Sequence, residues 1–102
     1  MTKTEETLIK TQDVLVRILV LAPQEVAPWH YHRAITDNMF CLSGSLEIQL
    51  QDPEQTLSLQ PGQRCEVPPG RVHRVVNPTE QETRYLLVQG VGNYDFNVVD
   101  PD

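Results

Sequence analysis

The sequence predicts an all-β domain, a sandwich or small barrel. Three observations lead there. Apolar residues come in short runs rather than at a helical spacing of 3.6, Gly and Pro punctuate those runs at close intervals, and several runs alternate apolar and polar residues with period two.

The runs can be taken in order. "DVLVRILVLA" is rich in Val, Ile and Leu and reads as a strand, apolar on both faces. "NMFCLSG" is a second, stopped at Ser43-Gly44. In "SLEIQLQ", Leu46, Ile48 and Leu50 face one way and Ser45, Glu47 and Gln49 the other, the pattern of a strand with one buried and one wet face. "DPEQ" is a turn and "TLSL" the returning strand. "PG" at 61–62 and "PPG" at 68–70 bracket the strand "QRCEV". "RVHRVV" ends at Asn77-Pro78, "TRYLLVQG" ends at Gly90, and "YDFNVV" closes the sheet. This gives roughly eight to ten short strands. Thr2 and Glu5 have the spacing of a helical capping box, on a segment too short to weigh much. No repeat, low-complexity tract or linker breaks the chain, so residues 1–102 read as a single domain.

Composition narrows the function. A net charge of −6 and the lack of a basic run argue against nucleic acid and anionic membranes as partners. The polar start "MTKTEETLIKTQ" lacks the apolar stretch of a secretory signal, and "ILVLA" is too short to span a bilayer, so a cytoplasmic location is expected. Cys41 and Cys65 form no CxxC and are expected as reduced thiols, with Cys41 on an inner face and Cys65 in packing.

Two of the three histidines, His30 and His32, are separated by one residue. On a strand they point to the same face, within reach of one metal ion. Two ligands hold a metal weakly, so other strands must contribute. Asp37 opens the following strand, and His73 follows the "PPG" turn. A barrel can bring His30, His32, Asp37 and His73 together. Singly, each has a plainer reading: a packed or exposed histidine, or an aspartate that caps a turn.

Order and spacing together change those odds. "GQRCEVPPGRVHRVVN", Gly62 to Asn77, has Gly, five residues, Pro, one residue, Gly, two residues, His, three residues and Asn, and so resembles the second cupin motif at each position. Upstream, His30, one residue, His32, four residues, Asp37, six residues and Gly44 resemble the first motif. Two departures stand out: the family's leading glycine is Gln24 here, and its glutamate ligand is Asp37. The motifs then span about 24–44 and 62–77.

The resemblance implies a single-domain cupin β-barrel of jelly-roll type. It implies one divalent metal ion per chain (Mn, Fe, Ni, Co or Zn) on His30, His32, His73 and Asp37, with Asp37 either ligating or orienting a histidine or a bound water from behind. It implies a metal-dependent enzyme on a small molecule, of oxygenase, isomerase or lyase type, or else a non-catalytic ligand-binding module or a metal-free structural cupin. A homodimer is expected, because "DVLVRILVL" is more apolar than one barrel wall needs and such strands in the family pair across subunits. Gly62 and Gly70 are expected at strand corners, Pro68 at a strand end, and Asn77 fixing the turn before Pro78. Arg64, Arg71, Arg74 and Arg84 would bind an anionic substrate if any faces inward. Trp29 and Tyr85 either line the barrel mouth or pack.

Overall fold

Ten antiparallel strands form two five-stranded sheets in the computed structural model, which describes residues 4–100. They are β1 (Glu5–Lys10), β2 (Leu15–Leu21), β3 (His30–Tyr31), β4 (Thr36–Ser43), β5 (Leu46–Leu50), β6 (Gln55–Leu59), β7 (Arg64–Val67), β8 (His73–Val76), β9 (Thr83–Gly90) and β10 (Asn97–Val98). One sheet has the order β1-β2-β9-β4-β7 and the other β10-β3-β8-β5-β6. The two sheets face each other as a jelly roll, all-β as expected, but remain two sheets and do not close into one continuous barrel. No helix among the described residues is long and apolar enough to cross a membrane.

Period-two alternation becomes burial. Leu46 and Ile48 are fully buried and Leu50 nearly so, while Glu47 and Gln49 are only half-buried. Facing them from the other sheet are Leu21, Met39, Cys41, Tyr85 and Leu87, in one continuous core with Val75 and Leu59. Cys65 packs there too, as expected. Burial raises both thiols above their ordinary range, which keeps them protonated and unreactive.

The N-terminal segment departs from the capping-box reading. Thr2 lies outside the described residues, and Glu5 opens strand β1, which pairs with β2 from Glu5↔Leu19 to Lys10↔Leu15. "TLIK" offers β-branched and apolar residues to an available strand edge, and ladder pairing outweighs local helix capping.

Turn residues fix the corners. Gly62 and Gly70 hold φ of 91° and 82°. At Gly44 a β-carbon would lie 2.5 Å from Thr83 Oγ1 and 2.7 Å from the Glu82 carbonyl oxygen, so no other residue fits. Gln24 stands where the cupin pattern has glycine and still holds the left-handed conformation, at φ 62°. Asn77 does more than shape its own turn. Its amide nitrogen donates to the carbonyls of Leu21, Ala22 and Gln81, and its oxygen accepts from Thr79. One fully buried side chain thereby ties the end of β2 to the end of β8.

Candidate metal centre

His30 and His73 lie opposite each other on the paired strands β3 and β8. Strand β3 is two residues long, yet the alternation continues past its end: His30 is buried, Tyr31 half-buried and His32 buried. The Gly70 N–H donates to the His32 carbonyl at 2.7 Å, so the "PPG" turn supports the segment just beyond β3. Asp37 comes from the facing sheet, between Val67 of β7 and Gln89 of β9. The cluster therefore bridges the two sheets, with imidazoles from one and a carboxylate from the other.

The four side chains converge, each offering one ligand-capable atom, all within 4.8 Å of one another. His32, Asp37 and His73 are at most 2% exposed and His30 8%. Asp37 Oδ2 lies 3.1 Å from His32 Nε2 and 2.8 Å from His73 Nε2. The shorter acid thus reaches the imidazoles directly.

Each imidazole is anchored from behind by a backbone carbonyl. His30 Nδ1 lies 3.0 Å from the Pro28 oxygen, His73 Nδ1 2.8 Å from that of Arg71, and His32 Nδ1 2.5 Å from that of Asp95. A carbonyl only accepts, so Nδ1 carries the proton and donates. Each ring then turns Nε2 toward the centre. The Nε2 atoms of His32 and His73 meet on one carboxylate oxygen, a contact that a proton bridges in the metal-free protein and that a cation can take over. This donor set fits a divalent metal ion of the kind that takes imidazole and carboxylate.

The electrostatics follow. Burial lowers the His30 pKa to about 4, against the opposing pull of the Pro28 carbonyl. Burial also works against protonation of His32, but its contact with Asp37 outweighs it and leaves this ring above its ordinary value. Burial would raise Asp37, yet contacts with His32, His73 and Gln89 hold it well below the usual carboxylate range, so it stays charged.

Two residues that sequence reasoning missed complete the centre. Gln89 is 2% exposed and donates its amide N–H to Asp37 Oδ1 at 2.9 Å. Arg17 donates to Gln89 Oε1 at 2.5 Å and to Glu5 at 2.9 Å. Arginine has no acceptor, so it fixes which end of the Gln89 amide faces Asp37. The available signal was a lone arginine in the apolar run "LVRILVL", on the same alternating face as Leu19 and Leu21.

The arginines singled out from sequence all lie elsewhere. Arg64 bonds Asn38, and Arg71 bonds the Gln51 and Pro53 carbonyls. Arg74 bonds Gln49 and lies over the Trp29 ring, and Arg84 is exposed. Trp29 packs on this outer surface, whereas Tyr85 lines the inner cavity. That cavity, of about 140 Å³, lies between the sheets against the histidines, with Leu19, Met39 and Leu87 among its apolar walls. Cys41 is in the core and does not line it. Tyr94 and Phe96, beyond β9, line it on the exposed side. The Phe96 ring stacks on His30 at 4.4 Å between centroids, and Tyr94 lies 5.7 Å from His32.

Comparison with known proteins agrees with this architecture. A conserved protein with a double-stranded β-helix domain from Klebsiella pneumoniae superposes with a TM-score of 0.83 at 22% identity, over 94% of this chain and 83% of that one. The polyketide cyclase RemF from Streptomyces resistomycificus superposes with a TM-score of 0.81 at 22% identity, over 96% and 71%. An oxalate oxidase gives a TM-score of 0.78 at 18% identity, over 85% of this chain and 46% of that one. At these identities the likeness is one of fold. No curated protein sequence matches the chain. Residues 17–89 match the family model for the cupin domain, a span that holds both sheets' central strands and all four converging side chains, and the chain belongs to the cupin family.

Proposed function

We propose that this protein is a metal-dependent cupin enzyme acting on a small molecule, with one divalent ion held by His30, His32, His73 and Asp37. The observation that carries this reading is the convergence of the donor set: three imidazoles anchored at Nδ1 by carbonyls, and a buried carboxylate that meets the Nε2 atoms of His32 and His73. A bound ion there supplies Lewis-acid polarisation of a coordinated group, and redox capacity if it is iron or manganese.

The chain's own residues do the rest. The carbonyls of Pro28, Asp95 and Arg71 hold the rings in one tautomer and orientation. Gln89 fixes Asp37, so the carboxylate is pre-set. Leu19, Met39, Leu87 and Phe96 exclude water from the space beside the histidines, which strengthens each electrostatic contact within it. Similar folds serve a polyketide cyclase and an oxalate oxidase, which supports an enzyme without selecting a reaction.

The test is elemental analysis of protein purified without chelator, followed by oxygen-uptake and small-molecule turnover assays on the metal-loaded form. The expected result is about one metal ion per chain and turnover lost on chelation. Protein that neither retains nor takes up Mn, Fe, Co, Ni or Zn would overturn the metal reading. Full metal loading with ligand binding but no turnover would favour a binding module.

A further inference from the structure

Arg17 has a role beyond orienting Gln89. Arg17 lines the same cavity as the histidines, and its guanidinium carbon lies 5.6 Å from the centre of the Tyr94 ring. One terminal nitrogen is committed to Glu5 and the other to Gln89. Its Nε is buried and has no partner among the described residues, the one side-chain nitrogen or oxygen there in that condition. A buried N–H of a charged group left without an acceptor is costly, and structures keep such groups where a ligand completes them.

Charge points the same way. The fixed charges around the cavity are Asp37, Glu5 and Arg17. A divalent ion at the histidines leaves this set with one net positive charge, which a monoanion cancels. On its other side Arg17 borders a wider, more polar cavity of about 450 Å³. The space beside the histidines is small: a cavity near 150 Å³ holds a molecule of about six non-hydrogen atoms such as benzene, and this one is about 140 Å³. Its walls beyond Arg17 are largely aliphatic and aromatic, which suits a short apolar body rather than a fully solvated inorganic anion.

We infer that the ligand of this site is a small monocarboxylate, whose carboxylate accepts from Arg17 Nε–H while its apolar body lies between the sheets beside the histidines. This deepens the metal-site reading and rests on it for the charge balance. Arg17 reaches Asp37 through the Gln89 amide and shares a cavity with the histidines, so a carboxylate on Arg17 would leave the ligand's body to the apolar walls they have in common.

Butyrate and butyramide share size and shape and differ in charge, so together they test the inference. Each is titrated into zinc-loaded and chelator-treated protein, following the Arg17 Nε–H resonance by nitrogen-15 NMR, with inorganic phosphate as a third probe. Butyrate is expected to shift that resonance and to bind at least about tenfold more tightly than butyramide or phosphate, the effect of one hydrogen bond to a charged group. Arg17→Gln and Arg17→Lys should both abolish the preference, since neither offers the Nε–H. Equal binding of butyrate and butyramide, tighter binding of phosphate, or an unmoved Nε–H resonance in the wild type would overturn the inference, whatever the variants do. Zinc content of the same samples reports separately on the metal site. Protein that excludes zinc yet prefers butyrate through Arg17 would sink the metal reading alone.

Discussion

Asp37 and Gln89 face each other across the β4–β9 ladder, and the Gln89 amide donates to Asp37 Oδ1 at 2.9 Å while Oδ2 is left to His32 and His73. One carboxylate is thus divided between a positioning partner and the imidazoles. Gln89→Leu removes the partner and leaves Oδ1 buried without a donor. Metal affinity should fall by about 10- to 100-fold, as for other partners that orient a ligand. Calorimetric titration with Ni or Zn, alongside circular dichroism to show that the fold persists, checks this. An unchanged affinity would mean that Gln89 only packs.

The three histidines should fail as a unit. His32→Ala, His73→Ala and Asp37→Ala should each weaken metal binding strongly, and the His32→Ala/His73→Ala pair should lose far less than the sum of the two singles. Metal stoichiometry and affinity for the four variants measure it. A His73→Ala protein that binds as tightly as wild type would break the shared-site reading.

Acid should destabilise the metal-free protein through His30. An unfolded chain takes up this proton near pH 6.5, whereas in the folded state burial delays it to about 4. Between those values the unfolded state binds more protons. The stability this ring contributes is therefore whole above pH 6.5 and is lost as pH falls toward 4. His32, raised by Asp37, acts in the opposite sense, its contribution being lost as pH rises through its folded value. Denaturant unfolding of chelated wild type and His30→Gln at pH 7, 5.5 and 4.5 separates them, and the variant should lose less stability on acidification. Proton NMR should show the His30 ring unchanged through pH 6. A His30 titration near 6.5 would contradict the burial argument.

Self-association is expected through the outward face of the β1-β2-β9-β4-β7 sheet. With Arg17 and Leu19 facing the cavity, alternation turns Val16, Ile18, Leu86, Val88 and Phe40 outward, where they are only half-buried. The adjoining edge strand β1 leaves Leu8 and Ile9 about half exposed. A solvated sheet face ordinarily carries polar residues at these positions, and an open edge invites pairing. Sedimentation equilibrium at micromolar concentration should give twice the mass of one chain, and Ile18→Lys/Leu86→Lys should shift it to a monomer. A wild type that sediments as one chain would end this expectation.

The sequence by itself determined the strands from β2 onward, their inward faces and the identity of the converging histidines and aspartate, but not β1, where it offered a helix cap. Alternation in "SLEIQLQ" and the "PG" and "PPG" corners are local signals that each map onto one strand or turn, and the spacing of His30, His32 and His73 is a motif-level signal that spans β3 and β8. Tertiary structure alone decided which of these faces meet. Gln89 and Arg17 hold inward positions on strands far apart in the chain, and nothing local sets them beside Asp37; the β2–β9 and β9–β4 registers do, by pairing Arg17 with Leu87 and Gln89 with Asp37. The same holds for the Asp95 carbonyl behind His32 and for Phe96 over His30, whereas the Pro28 and Arg71 carbonyls stand only two residues before the rings they anchor. Period two tells which way a side chain points. What it then touches depends on strand order and register, because the two walls of the cavity come from different sheets.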